Sequence, residues 1–126
     1  MKQKKFSLQK RLKSFIYAFN GWKILLREEP NATIHLIVTA CVLVAGMVFR
    51  ISAVEWIAVI LCIGWVIALE LINSALEYLA DFVSPGKHEI IKKVKDLAAG
   101  AVLIGAIASS AVGLIVFLPK ILKYLI

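Results

Sequence analysis

Cysteine is scarce in this chain, with two among 126 residues. That excludes a small secreted fold stapled by disulfides. Cys41 and Cys62 both fall inside apolar runs, where packing or lipid contact is their ordinary use. Charge is scarce too, at 18% of residues against 61% hydrophobic, and the mean hydropathy is +0.88. Soluble domains average ~45–50% apolar, and a chain this short has too much surface to hide the excess from water. The same arithmetic excludes disorder. No internal repeat or low-complexity tract is present. A cleavable leader is not expected, because the first sustained apolar run begins only near Ile34 and lacks an Ala-x-Ala-like site. The composition points to one domain, residues 1–126, of an integral membrane protein. Its net charge of +7 forms a basic fringe, for which no nucleic-acid partner is expected.

Three apolar segments run from about Ile34 to Phe49, Val54 to Ala80 and Leu97 to Leu118. A bilayer core needs roughly 20 apolar residues of helix, and lipid offers backbone polar groups no partner. The fold class expected is therefore all-α: three transmembrane helices, over about 32–50, 54–80 and 97–118. His35 and Arg50 bracket the first and are expected to snorkel toward the headgroups. Basic residues set the orientation. Eight precede the first span (Lys2, Lys4, Lys5, Lys10, Arg11, Lys13, Lys23, Arg27), and Lys87, Lys92, Lys93 and Lys95 follow the second. Only Arg50, Lys120 and Lys123 fall on the other side. The amino terminus and the second loop are thus expected in the cytoplasm.

Leu8, Leu12, Phe15, Phe19, Trp22 and Leu26 recur at alternating steps of four and three residues. This predicts an amphipathic helix over about 8–28, lying on the membrane surface or packed on the spans. Pro30 stops it and Asn31 can cap the next helix. Ser84-Pro85-Gly86 marks a turn after the second span. In the third, Ala101, Gly105, Ser109 and Gly113 repeat every four residues, a smooth ridge suited to close helix packing.

The informative stretch is Glu70-Leu-Ile-Asn73-Ser-Ala-Leu-Glu77-Tyr-Leu-Ala-Asp81. At about 100° per residue, Glu70, Asn73, Glu77 and Asp81 share an arc of roughly 80°. Acids at the centre of a membrane helix cost roughly 2.5–3.5 kcal/mol each on insertion scales. Simple pairing with a cation explains Asp81 alone equally well, but explains the whole stripe poorly. His88, Lys92, Lys93, Lys95 and Asp96 follow in the next loop. Carboxylates can hold a hard divalent cation, lysines can neutralise phosphates, and an interfacial carboxylate can take a proton from a lipid hydroxyl. Together these parts suit phosphoryl transfer at the membrane–water boundary. No G-x-x-x-x-G-K-[ST] loop exists, since Pro85-Gly86-Lys87-His88 shares only a Gly-Lys pair, and the protein-kinase motif set is missing. Two histidines and two cysteines inside apolar runs make a zinc site a poor expectation.

In order, Glu70-x-x-Asn73-x-x-x-Glu77-x-x-x-Asp81, His88 and Lys95-Asp96-x-Ala98-Ala99-Gly100-Ala101-Val102-Leu103 resemble the prokaryotic diacylglycerol kinase family. These small membrane lipid kinases include the undecaprenol kinases of Gram-positive bacteria, and the resemblance spans about Lys10 to Leu118. It implies a homotrimer of three-span subunits in the bacterial cytoplasmic membrane, with active sites shared between neighbours. It implies ATP as phosphoryl donor, Mg2+ as cofactor and a membrane lipid alcohol as acceptor. Carried over by position, Glu70 is the general base that meets the lipid hydroxyl, and Asn73 positions the reacting groups. Glu29 and Glu77 hold magnesium on ATP, Glu29 being preferred to Glu28 for its spacing to Asn31, Ile34 and His35. Lys95 and Asp96 contact the phosphates and their surroundings. Tyr17, Gly86, Lys87 and His88 match nucleotide-contacting positions, and Lys10 a commonly basic one. For Tyr17 and Lys10, interfacial anchoring is an equal alternative.

Glu29-x-Asn31-x-x-Ile34-His35 is more similar to the Gram-positive branch, which favours undecaprenol over diacylglycerol as acceptor. Ala32-Thr33 and Ser74 depart from the common pattern, which bears on the lipid pocket rather than the chemistry. The alternative of another class is a non-catalytic membrane subunit or an ion-conducting oligomer whose acids line a polar seam.

Overall fold

The computed structural model describes residues 5–126; Lys2 and Lys4 of the basic amino-terminal set lie outside the described residues. Four helices follow one another: α1 (Leu8–Glu28), α2 (Pro30–Val48), α3 (Ala53–Val83) and α4 (Glu89–Leu125). The last three are long and apolar enough to cross a membrane, and the protein is a multi-pass membrane protein.

Local chemistry explains each boundary. Ser7 caps α1 by accepting from the Lys10 N–H. Glu29 closes α1 through its own N–H to the Leu25 carbonyl and is also the N-cap of α2, where Pro30 takes the first helical position. Arg50 adopts φ 51°, the left-handed region usually left to glycine. The Arg50 N–H reaches the Met47 carbonyl at 3.3 Å and the Ile51 N–H the Gly46 carbonyl at 3.2 Å, the pair of bonds that defines a Schellman stop. Ser52 and Glu55 then form a reciprocal capping box that opens α3.

α3 and α4 pack as an antiparallel hairpin, stapled at both ends. Lys95 Nζ donates to Asp81 Oδ1 at 2.5 Å, and Lys120 Nζ donates to Glu55 Oε2 at 2.7 Å. The two acids lie 26 residues apart on α3, which is about 39 Å at 1.5 Å per residue. That separation exceeds a ~30 Å hydrocarbon core and reaches the headgroup regions on both sides. The stretch of hairpin between the two ion pairs is therefore long enough to cross a hydrocarbon core.

The expected small-residue ridge on α4 is used in part. Gly105 is buried against Leu69 and Trp65, and Ser109 donates to the Cys62 carbonyl at 3.5 Å. Ala101 is exposed, and Gly113 borders a cavity. A closer approach occurs at Gly46, where a Cβ would stand 2.6 Å from the Trp56 indole and 3.2 Å from Ile51. We expect Gly46→Val to destabilise the fold by about 2 kcal/mol, because a rigid ring must shift. A lowered thermal unfolding midpoint in detergent checks it.

Two expectations need correction. α4 begins at Glu89, two turns ahead of the apolar run, so Lys92, Lys93, Lys95 and Asp96 lie on helix rather than in a loop. The His88 cap and the Lys92–Asp96 pair, four residues apart, support those turns. α4 also continues through Pro119 to Leu125, beyond the expected limit at residue 118. The apolar run ends there, but helical backbone does not depend on hydropathy.

Candidate active site

Glu70 sits on α3, only 5% exposed, and is one of two buried polar residues among those described. It faces a cavity of about 490 Å³ bounded by Trp22, Leu25 and Leu26 of α1, Ala32 and Leu36 of α2, and Ile67 of α3. Leu25, not part of the predicted apolar stripe, is the residue of α1 that becomes buried. Leu8, Leu12, Phe15 and Phe19 point away from the helices and stay exposed. That part of the stripe is left to face lipid or a partner, while its last members, Trp22 and Leu26, border the cavity together with Leu25.

His35 differs from expectation. Rather than reaching outward to headgroups, its ring turns in, and Nε2 lies 3.0 Å from Glu70 Oε1. An intramembrane carboxylate needs a polar partner, and His35 is the only histidine in an apolar segment. That position in the sequence is the one signal that could have flagged the ring, while which acid it meets is decided by how α2 packs on α3.

One turn further along α3 the polar face continues. Asn73 Oδ1 is buried without a hydrogen-bond partner among the described residues, as is the neighbouring Ser74 Oγ. A buried amide oxygen left unpaired carries a penalty of roughly 1–3 kcal/mol, which a hydrogen-bond donor on a ligand would relieve. Glu77 is half-buried and makes no side-chain hydrogen bond or ion pair among the described residues. Asp81, at the mouth of the stripe, is held by Lys95. Lys95 lies ahead of the apolar stretch of α4, and its ammonium is pushed above the ordinary lysine value. The Asp81 hydrogen bond is the main cause, opposed by some desolvation and aided by the charges of Asp81 and Glu77.

The other expected site residues are more dispersed. Lys92 Nζ donates to Asp96 Oδ2 at 2.6 Å on the exposed face of α4. His88 caps α4, its Nδ1 accepting from the Ile90 N–H at 3.1 Å, which leaves Nε2 as the ring atom that can meet a ligand. The Gly86 carbonyl accepts from Ser84 Oγ, and Gly86 and Lys87 are exposed in the turn. Lys10 and Tyr17 lie on the exposed surface of α1 and are not drawn to Glu70.

The donor set is compatible with magnesium. Glu29 makes no side-chain bond at its cap position, and Glu77 is likewise unengaged, so two hard oxygen donors are available. Among the described residues no three His, Cys, Asp or Glu side chains converge. Magnesium is commonly held by one or two carboxylates together with substrate phosphates and water, rather than by a protein cage.

A family profile for prokaryotic diacylglycerol kinase matches residues 16–117. The chain is 38% identical over 114 residues to the undecaprenol kinase of Bacillus subtilis, spanning 90% of this chain and 93% of that protein. It is 36% identical over 116 residues to a diacylglycerol kinase of Synechocystis, spanning 91% and 66% respectively. Against the diacylglycerol kinase of Escherichia coli K12 the identity is 28% over 83 residues, or 66% and 63% of the two chains.

Proposed function

Because the chain belongs to the prokaryotic diacylglycerol kinase family and is a membrane kinase that phosphorylates a lipid alcohol, we propose that its acceptor is undecaprenol and its donor magnesium-bound ATP. One observation carries the reading. A buried carboxylate, Glu70, faces an apolar cavity under α1, on the same helix face as Asn73, Glu77 and Asp81. That face runs about 16 Å from Glu70 to Asp81, which links a greasy binding volume to a charged rim carrying Lys95. A lipid hydroxyl and a water-borne triphosphate can meet along it.

Glu70 accepts the hydroxyl proton as the alcohol oxygen attacks the γ-phosphorus. Asn73 Oδ1, one turn away, accepts a hydrogen bond from a reacting group or its water. Lys95, together with the exposed Lys87 and His88 Nε2, offsets phosphate charge at the rim. Glu29 and Glu77 would hold magnesium, which supplies neutralisation of charge on the transferred group. The rest of the effect is alignment of acceptor and donor.

The amino terminus and the α3–α4 turn face the cytoplasm in this reading, where ATP is found, as the distribution of basic residues supports. The working unit is a homotrimer. Its support is the family resemblance and the unpartnered Asn73 and Ser74 oxygens, which a neighbouring subunit or substrate can satisfy. Undecaprenol is preferred to diacylglycerol because the similarity to an undecaprenol kinase covers nearly all of both chains.

Purified protein in vesicles, given radiolabelled ATP and each lipid separately, tests the acceptor. Undecaprenol is expected to show a kcat/KM at least about tenfold above diacylglycerol, a difference of about 1.4 kcal/mol. Equal or reversed values would overturn the acceptor but not the kinase. Ion flux with no labelled lipid would favour the polar-seam alternative.

A further inference from the structure

His35 has no part in the chemistry described above. The ring is 27% exposed and the Glu70 side chain 6% exposed, and each has the other as its only side-chain hydrogen-bond partner among the described residues. The ring also borders two cavities. One is the 490 Å³ volume under α1; the other, about 310 Å³, lies between α2, α3 and α4. A side chain placed for packing is surrounded by neighbours. This ring stands between two open volumes, so filling space is not its use.

The first cavity otherwise has aliphatic walls apart from the Trp22 indole. A carboxylate there cannot draw on water and depends on a donor from the protein. An ionised carboxylate only accepts, so in the reactive state His35 Nε2 carries the hydrogen and donates it to Glu70 Oε1. That bond occupies one oxygen and fixes the plane of the group, leaving Oε2 to meet the lipid hydroxyl.

We infer that His35 is a positioning residue that holds the Glu70 carboxylate aimed at the acceptor alcohol. The inference rests on Glu70 being the base. In the step, the hydroxyl proton passes to Glu70 Oε2, and the alcohol oxygen forms a bond to the γ-phosphorus. The bond from that phosphorus to the β,γ-bridging oxygen breaks, and its electron pair leaves with ADP. His35 keeps its own proton throughout.

The test compares wild type, His35→Leu, His35→Gln and Glu70→Gln, each as the full chain in vesicles with ATP, magnesium and undecaprenol. His35→Leu is expected to lower kcat about 100-fold, the scale of a small misplacement of a reacting group. Its KM values for ATP and lipid should stay within about twofold, since alignment and not binding is lost. His35→Gln, whose amide N–H can replace the Nε2 donor, is expected to regain at least about tenfold in kcat. Unchanged kcat in His35→Leu overturns the proposal, as does a raised KM with kcat kept, which would make the ring a substrate contact. Gln no better than Leu overturns it also, since the donor would then not matter. Should His35→Leu fail to bind a fluorescent ATP analogue, His35→Gln alone decides: kcat within about tenfold of wild type supports the role, and a deeper loss sinks it. Glu70→Gln keeps the two readings apart. Turnover retained there defeats Glu70 as base, whereas turnover lost there with His35→Leu at wild-type rate defeats only the positioning role.

Discussion

Glu70→Gln is expected to reduce lipid phosphorylation by at least about 10³-fold, within the 10²–10⁴ range typical of a general base. The substitution is nearly isosteric, and the Gln oxygen still accepts from His35 Nε2 at the same place. Fold and cavity are therefore kept, and only the ability to take a proton is removed. Nucleotide affinity should change little, because the cations assigned to the phosphates, Lys87 and Lys95, lie toward the rim and are untouched by the substitution. Steady-state turnover, paired with binding of a fluorescent ATP analogue, separates these effects. Normal turnover would remove Glu70 as the base.

Glu77→Gln is expected to raise the magnesium concentration needed for half-maximal activity by about 10–100-fold, the scale on which metal sites respond to loss of a supporting group. Glu77 has no side-chain hydrogen bond or ion pair among the described residues, so its removal strands no partner. Saturating magnesium should recover much of the rate, a rescue that a purely structural defect would not show. A magnesium titration at fixed ATP reads both. An unchanged midpoint would count against ligation by this residue. Asp81 makes the contrast: its carboxylate is engaged by Lys95 at 2.5 Å, so it is part of the hairpin's closure at the charged rim rather than a spare metal ligand.

Much of the architecture was legible because lipid simplifies the problem. Backbone in hydrocarbon has to be helical, so apolar length alone gave three spans, and the stripe from Leu8 to Leu26 gave α1. Where hydropathy is silent the reading failed. The first turns of α4 are charged, and their helicity depends on a cap and on the Lys92–Asp96 pair. Arg50 carries a φ that sequence statistics assign to glycine, held by a Schellman stop whose close contact is relieved by Gly46.

The site divides the same way. Sequence by itself determined that acids occupy one face of α3 and in what order, because helical periodicity fixes which side chains share a face. It also determined that such acids demand partners, because hydrocarbon does not solvate them. Only the tertiary structure decided who the partners are: His35 for Glu70 across 35 positions of chain, and Lys95 for Asp81 across a turn. Such pairings depend on how helices rotate and lean against one another. That is settled by small interhelical contacts such as Gly105 on Leu69 and Gly46 on Trp56, which no local pattern encodes.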